Sequence, residues 1–251
     1  MRVRFFQIDA FTTHLFAGNP AAVMVLEHYP DDATLQAAAA ENNLAETAFL
    51  VAEGNDYRLR WFTPTVEVPL CGHAILASAA VVMERLQPDR NAVIFQSASG
   101  PLAVSRTPSG YVMDFPARPS TAVAAPATLA DALGVGPLEV LDDTFNYIAL
   151  LESAEVVRNS GLVASAAGDG RFDFVSRYFA PAKGIPEDPV TGGAHCALVP
   201  YWAKLLGKTD FRAFQASRRG GEIICRQRGN RVELEGSCVF YLEGEAEIPA
   251  C

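Results

Sequence analysis

Positive charge is scarce in this chain. Against 29 Asp and Glu stand 20 Lys and Arg, a formal net charge of -9. No basic cluster offsets the deficit, because the densest spot, Arg218-Arg219, sits beside glycines and reads as a solvated turn. Such a surface repels a phosphate backbone, so no nucleic-acid partner is expected. Cysteine is also sparse: five residues, an odd number without close pairing, supply neither a disulfide framework nor a zinc site. Long apolar runs are missing as well. The longest uncharged helical candidate, Ala74 to Met83, falls far short of the roughly 20 residues that span a bilayer. Met1 to Asp9 alternates like a strand and reaches an acidic residue early, unlike a secretory leader. These absences, with no low-complexity segment, lead to the expectation of a soluble cytoplasmic protein with no membrane partner.

What the chain does contain, it contains twice. Arg60-Trp61-Phe62-Thr63-Pro64 leads through Glu67-Val68-Pro69 to Cys71-Gly72-His73-Ala74 and an apolar run. Arg177-Tyr178-Phe179-Ala180-Pro181 leads through Gly184-Ile185-Pro186 to Gly192-Gly193-Ala194-His195 and another. Arg60 and Arg177, Pro64 and Pro181, and Pro69 and Pro186 are each 117 positions apart, and Phe95-Gln96 recurs as Phe214-Gln215 at 119. A strand, a turn and a buried helix recurring at fixed spacing read as a duplicated half. At 251 residues, half of them hydrophobic, the chain can build two cores of about half its length each. Two such halves would face each other across a cleft.

Strands are expected at Arg2–Ala10, Ala21–Glu27, Thr47–Ala52, Tyr57–Thr63, Ala92–Ser97, Pro101–Arg106 and Tyr111–Phe115, on their Phe, Val and Leu content. Asp31-Asp32-Ala33-Thr34 opens a helix running to about Asn43. Gly72 to about Arg85 reads as a second helix, apolar on every face, which sheet must therefore enclose. The Pro-rich stretch Pro116 to Pro126 is the linker, giving an N-terminal lobe of residues 1–116 and a C-terminal lobe of residues 117–251. In the second lobe, a short helix is expected at Thr128–Leu133. Strands follow near Leu138–Leu141, Tyr147–Leu151 and Phe172–Phe179, then an enclosed helix from Gly193 to Leu206 capped by Gly207. Pro200 should kink that helix or mark a short first segment. Strands at Ala213–Ser217, Glu222–Arg228, Arg231–Glu235 and Cys238–Glu243 complete an α+β chain of two sheets, each curled around a central helix.

Gly72-His73 and Gly192-Gly193 stand at the starts of the two enclosed helices. A helix start leaves N–H groups unpaired and carries about half a positive charge, and glycine admits a ligand close to that backbone. Two such turns suit a small anion such as a carboxylate; the plain alternative is a tight strand-to-helix turn. Glu46 enters the apolar run Thr47 to Val51. Burial there would push a carboxyl upward from its usual pKa of about 4.3 and suit it to general acid/base work; otherwise it is an exposed strand-end residue. Asp188, before Pro189, opens the second turn or simply makes it. Cys71 is a nucleophile, a base or packing, and Cys196 is core. His14 and His28 belong to polar loops.

Taken together, the segments Phe6 to Phe11, Phe16 to Val23, Asn42 to Phe49, Arg60 to Pro64, Leu70 to Ala74 and Glu187 to Gly192 resemble the phenazine-biosynthesis PhzF-like family, within the diaminopimelate-epimerase-like superfamily. The Gly-Asn-Pro and Asp-Pro-x-Thr-Gly signatures carry the likeness across nearly the whole chain. The resemblance implies two lobes, each a curled, mostly antiparallel sheet around a helix, and a homodimer. It also implies a cofactor-independent isomerase site between the lobes, with no metal. It makes Glu46 the acid/base, with Gly72, His73, Asp188, Gly192 and Gly193 holding substrate. The family often has serine where this chain has Gly193, and Gly193→Ser is expected to fold normally.

The expected activity is proton movement within a small carboxylated metabolite, Glu46 serving as base and then acid. Two other readings stand beside it. One is a cysteine-based amino-acid racemase using Cys71, which lacks a second cysteine in the turn Glu187 to Gly192. The other is a non-catalytic protein that binds a ligand or partner through the same turns.

Overall fold

The computed structural model describes residues 1–127, 129–159, 164–180 and 186–249. Pro181, Gly184 and Ile185 of the repeated segment, and Thr128 of the short helix, lie outside the described residues. Two compact units form, Met1–Asp114 with Gly236–Cys251, and Phe115–Glu235.

The first unit begins with β1 (Arg2–Ala10), which pairs antiparallel with β2 (Asn19–Leu26). Helix α1 (Asp32–Asn42) follows, and its ends are set by sequence. Asp31 caps it by accepting from the Thr34 amide at 2.7 Å, and Asn43 closes it in the left-handed region at φ 48°. β3 (Glu46–Glu53) runs parallel to β2 and antiparallel to β4 (Asp56–Phe62). After the two-residue β5 (Glu67–Val68), α2 (Gly72–Val81) crosses over to β6 (Ala92–Ser97), which lies parallel to β4. β7 (Gly100–Thr107) and β8 (Gly110–Pro116) continue antiparallel.

The second unit repeats this order of pairings. β9 (Thr121–Ala122) edges β10 (Glu139–Asp142), which pairs antiparallel with β11 (Tyr147–Leu150). β11 runs parallel to β12 (Ala164–Ala167), and β12 antiparallel to β13 (Phe174–Arg177). Helix α5 (Gly192–Leu206) then crosses to β14 (Asp210–Gln215), parallel to β13, and β15 (Gly221–Arg228) and β16 (Arg231–Gly236) follow antiparallel. The short helices α3 (Leu129–Leu133) and α4 (Ala154–Asn159) fill connections. In each unit a strand, a turn and a helix return to a parallel strand, which is the connection parallel pairing needs. The duplication reaches side chains. Arg60 pairs with Glu67 at 2.7 Å and lies over the Phe62 ring. Arg177 pairs with Glu187 at 2.7 Å and lies over the Phe179 ring.

The expected fold of two similar units, each a mostly antiparallel sheet about a helix, is what forms. Three details differ from expectation. The last strand, β17 (Cys238–Glu247), pairs with β1 along its length, so Gly236–Cys251 joins the first unit. α2 gives way at Val82–Leu86 to a π-helical turn, closed by the Gln87 amide donating to Val82 at 2.7 Å. Helix α5 is enclosed only through its first two turns, and Leu205 is 60 % exposed near its end. The capping by Gly207, at φ 65°, is as expected.

Every residue from His73 to Val81 is buried, matching a helix apolar on all faces. It packs against β1, β2, β3 and β17, with Ile75, Leu76 and Val81 among its buried side chains. Each such side chain stabilises by about 1.5–3 kcal/mol relative to exposure. Ser78 within this helix turns its hydroxyl back onto the Ala74 carbonyl at 2.7 Å, so no polar group is stranded. In the second unit Phe174 stacks on Trp202 and lies against His195 in α5.

Two expectations about stability follow. Gly18 sits at φ 62°, and a Cβ there would lie 2.1 Å from the Ala10 carbonyl oxygen. Gly54, at φ 61°, has nothing within 4 Å of that position. Gly18→Ala should therefore cost about 2 kcal/mol or more, and Gly54→Ala about 1 kcal/mol. Urea unfolding checks this, and equal costs would contradict it.

His195 is buried, its pKa lowered from 6.5 to about 4 by desolvation, partly offset by its bond to the Thr191 carbonyl. The unfolded imidazole binds a proton in that window and the folded one does not. Stability from this group is thus full above about pH 6.5 and falls as pH drops toward 4, by on the order of 3 kcal/mol. His195→Phe should flatten the pH dependence of urea stability in this range; an unchanged slope would refute the assignment.

Candidate functional site

The first turn is assembled by three elements of the first unit. Parallel pairing places Ala21 of β2 opposite Glu46 at the start of β3, so Asn19 and Glu46 lie near neighbouring strand ends. Gly72 and His73 open α2, with Cys71 as the residue before it in extended conformation and no side chain capping the helix. The start of α2 thus presents its backbone amides where a helix has no partners of its own to offer them.

Glu46 is largely enclosed, its side chain 13 % exposed, and its Oε2 lies 3.2 Å from His73 Nε2. That distance is close enough for an ion pair, yet Oε2 is buried and accepts no well-aligned hydrogen bond among the described residues. The other imidazole nitrogen, Nδ1, lies 2.9 Å from Asn19 Nδ2. An amide nitrogen only donates, so Nδ1 accepts and the proton of a neutral ring sits on Nε2, toward the carboxylate. Cys71 Sγ approaches the same ring, 3.5 Å from Nδ1. Glu46, Cys71 and His73 offer a carboxylate oxygen, a thiol and an imidazole within 4.8 Å of one another. A zinc-like ion accepts such donors. Binding it through Nε2 would take that nitrogen's lone pair, so the ring proton would have to move to Nδ1 and the Asn19 amide turn its oxygen toward it.

The second turn belongs to the second unit. The Asp188 amide donates to the Tyr178 carbonyl, and its Oδ2 accepts from the Thr191 hydroxyl at 2.5 Å. Gln215, wholly buried on β14, ties the turn together. Its amide nitrogen donates to the Asp188 carbonyl at 2.7 Å, and its oxygen accepts from the Thr191 amide at 2.8 Å. Gly192 and Gly193 then open α5, again without a side-chain cap. A Cβ on Gly193 would meet only Arg118 Nη2, at 3.3 Å, so serine fits there if the guanidinium gives by a few tenths of an ångström.

The structure thus brings Glu46, Gly72 and His73 together in one turn, and Asp188, Gly192 and Gly193 together in the other. Cys196 is buried in α5 and its thiol is pushed up to about 11 by desolvation, which keeps it protonated and in the core. His14 and His28 are exposed loop residues, as expected. Three residues escaped the sequence reading. Asn19 was visible within the Gly-Asn-Pro signature, and Gln215 within the repeated Phe-Gln pair, but neither pattern assigns a role. Arg118, in the linker-like stretch, had no signal of its own.

A family model described as phenazine biosynthesis-like protein matches residues 8–136 and 137–244. The chain is 45 % identical to an uncharacterized isomerase of Pseudomonas aeruginosa, over 99 % of this chain and all of that one. It is similar to the crystal structure of a phenazine biosynthesis protein of the PhzF family from Enterococcus faecalis. There the TM-score is 0.94 at 40 % identity, over 98 % of this chain and all of that one. The fold alone is shared with a predicted epimerase of Pseudomonas aeruginosa, at TM-score 0.76 and 22 % identity, over 97 % of this chain and 99 % of that one. No helix among the described residues is long and apolar enough to cross a membrane. With the family model covering nearly all of both repeated halves, the chain belongs to the phenazine biosynthesis-like family of isomerase-type proteins.

Proposed function

We propose that this protein is a cofactor-independent isomerase that moves a proton within a small carboxylated metabolite, with Glu46 as the base that removes it and the acid that returns it. The observation carrying this reading is Glu46 Oε2, a buried acceptor engaged by no aligned hydrogen bond and set beside His73 Nε2. An acceptor taken out of water without a partner costs free energy, and a site that keeps one has a use for it. A carboxylate can take a C–H proton through that oxygen and deliver it elsewhere on the same substrate. The proton on His73 Nε2 then opposes negative charge developing nearby, and the amides of Gly72 and His73 add the field of the helix start. Asp188, Gly192 and Gly193 hold the same substrate in this proposal.

The isomerase name of the Pseudomonas aeruginosa relative supports the reaction class. Incubating the protein with a metabolite extract in deuterated water, followed by mass spectrometry, tests it without knowing the substrate. The native protein should place deuterium on one carbon of one carboxylated compound. Glu46→Gln should slow that labelling by about 10²–10⁴-fold while keeping the native thermal unfolding curve. Full labelling by the variant would refute the role of Glu46. Binding of a metabolite without any label, in the native protein, would favour the non-catalytic reading.

Cys71, 3.5 Å from the His73 ring, gives the racemase reading its one supporting contact. A two-thiol mechanism needs a thiolate on one face of the substrate and a thiol on the other; the turn Glu187 to Gly192 holds no cysteine, and Cys196 is buried within α5. Cys71→Ser should accordingly retain most of the labelling rate, and labelling that vanishes with the thiol would move the chemistry from Glu46 to Cys71.

A further inference from the structure

Pro200 lies inside α5 and has no amide hydrogen, so the Cys196 carbonyl four residues earlier loses its helical partner. The Arg118 amide supplies the missing donor, at 2.8 Å. That bond ties the backbone of Arg118 to the first turns of α5 and brings its side chain to the helix start. Nη2 of Arg118 lies 3.3 Å from where a Cβ on Gly193 would stand, so the absence of a side chain at 193 leaves the guanidinium its room.

The guanidinium is three-quarters enclosed, its side chain 26 % exposed. One face covers the Phe145 ring at 5.1 Å. Asp143 Oδ2, fully buried and without a hydrogen bond, lies 3.6 Å from Nη2, an ion-pair contact that orients the group without engaging its N–H donors directly. Asp143 is committed elsewhere, its Oδ1 accepting from the amides of Phe145 and Asn146. No hydrogen bond among the described residues uses the donors of the Arg118 side chain. A partly enclosed guanidinium, ion-paired with Asp143 on one side but with N–H donors left over beside an uncapped helix start, can receive an anion.

We propose that Arg118 binds the carboxylate of the substrate at the Gly192-Gly193 turn. It thereby makes the protein selective for substrates that present a carboxylate, and not a neutral amide or hydroxyl, to that turn. A planar guanidinium presents paired donors to both oxygens of a carboxylate, and the α5 amides add to the same attraction. The identity of the anion as the reacting substrate rests on the isomerase reading, while anion binding itself does not.

Benzoate and its neutral counterpart benzamide serve as probes, with the amides of Gly193 and Ala194 followed by NMR in the ¹⁵N-labelled full chain. Benzoate should shift these amides in the native protein and bind at least about tenfold more tightly than benzamide. Arg118→Met should weaken benzoate about tenfold or more and erase the preference, and Arg118→Lys should restore part of it. Gly193→Ser, crowding the guanidinium, should weaken benzoate less than Arg118→Met does. Benzoate binding is read without turnover, which separates this proposal from the catalytic one. Native amides that do not respond to benzoate, or an Arg118→Met variant that binds it with native affinity and preference, would overturn the assignment. An unfolded Arg118→Met variant leaves Arg118→Lys to decide: weaker benzoate binding supports a paired-donor contact, and affinity at or above the native value overturns it.

Discussion

A helix without a polar face can be held in water only by enclosure, and this requirement organises the first unit. From His73 to Val81 every residue of α2 is buried, so sheet must cover all sides of it. Its sides are spoken for by strands, and its uncapped N-terminus is where its polar backbone remains. Strand-to-helix turns therefore become the places where backbone charge and side-chain chemistry meet. The second unit repeats the solution over the first two turns of α5, then lets the helix emerge beyond Trp202.

At the first turn that scaffold spaces an amide, an imidazole and a carboxylate in a row. Asn19 is held on β2, His73 on α2 and Glu46 on β3, so rigid elements fix all three. The amide decides which imidazole nitrogen carries the proton, and the imidazole decides what faces the carboxylate. The second turn uses a different device: Gln215 satisfies both ends of the turn through its own donor and acceptor. One turn is thereby arranged around a carboxylate set beside an imidazole, and the other around a turn held by Gln215 with the Arg118–Asp143 ion pair nearby.

Most of the fold was legible because its elements obey local rules. Asp31 and Asn43 mark the ends of α1, Gly207 ends α5, and the all-apolar run after Gly72 announced its own enclosure. The duplication at 117 residues located both turns with Gly72, His73, Gly192 and Gly193, while Glu46 stood out by entering an apolar run and Asp188 by preceding Pro189, their roles coming from the family resemblance. Other features depended on contacts that sequence order does not record. β12 is built from Ala164 to Ala167, small residues without strand character, and exists because β11 and β13 flank it. β17 was recognised as a strand but not as the partner of β1, more than two hundred residues away. Asn19 meets His73 across 54 residues. Arg118 finds its place through a hydrogen bond that only the missing N–H of Pro200 makes available, a dependence that the proline alone suggested as a kink.

The arrangement of Asn19, His73 and Glu46 is where the chemistry stands or falls, and it can be read without knowing a substrate. The ¹⁵N spectrum of the His73 imidazole at neutral pH reports its tautomer directly. The expected result is a neutral ring protonated on Nε2, with Nδ1 accepting from Asn19, in the native protein and unchanged in Cys71→Ser. A ring protonated on Nδ1 would turn a lone pair toward Glu46, and the row of groups described here could not then keep a proton beside that carboxylate.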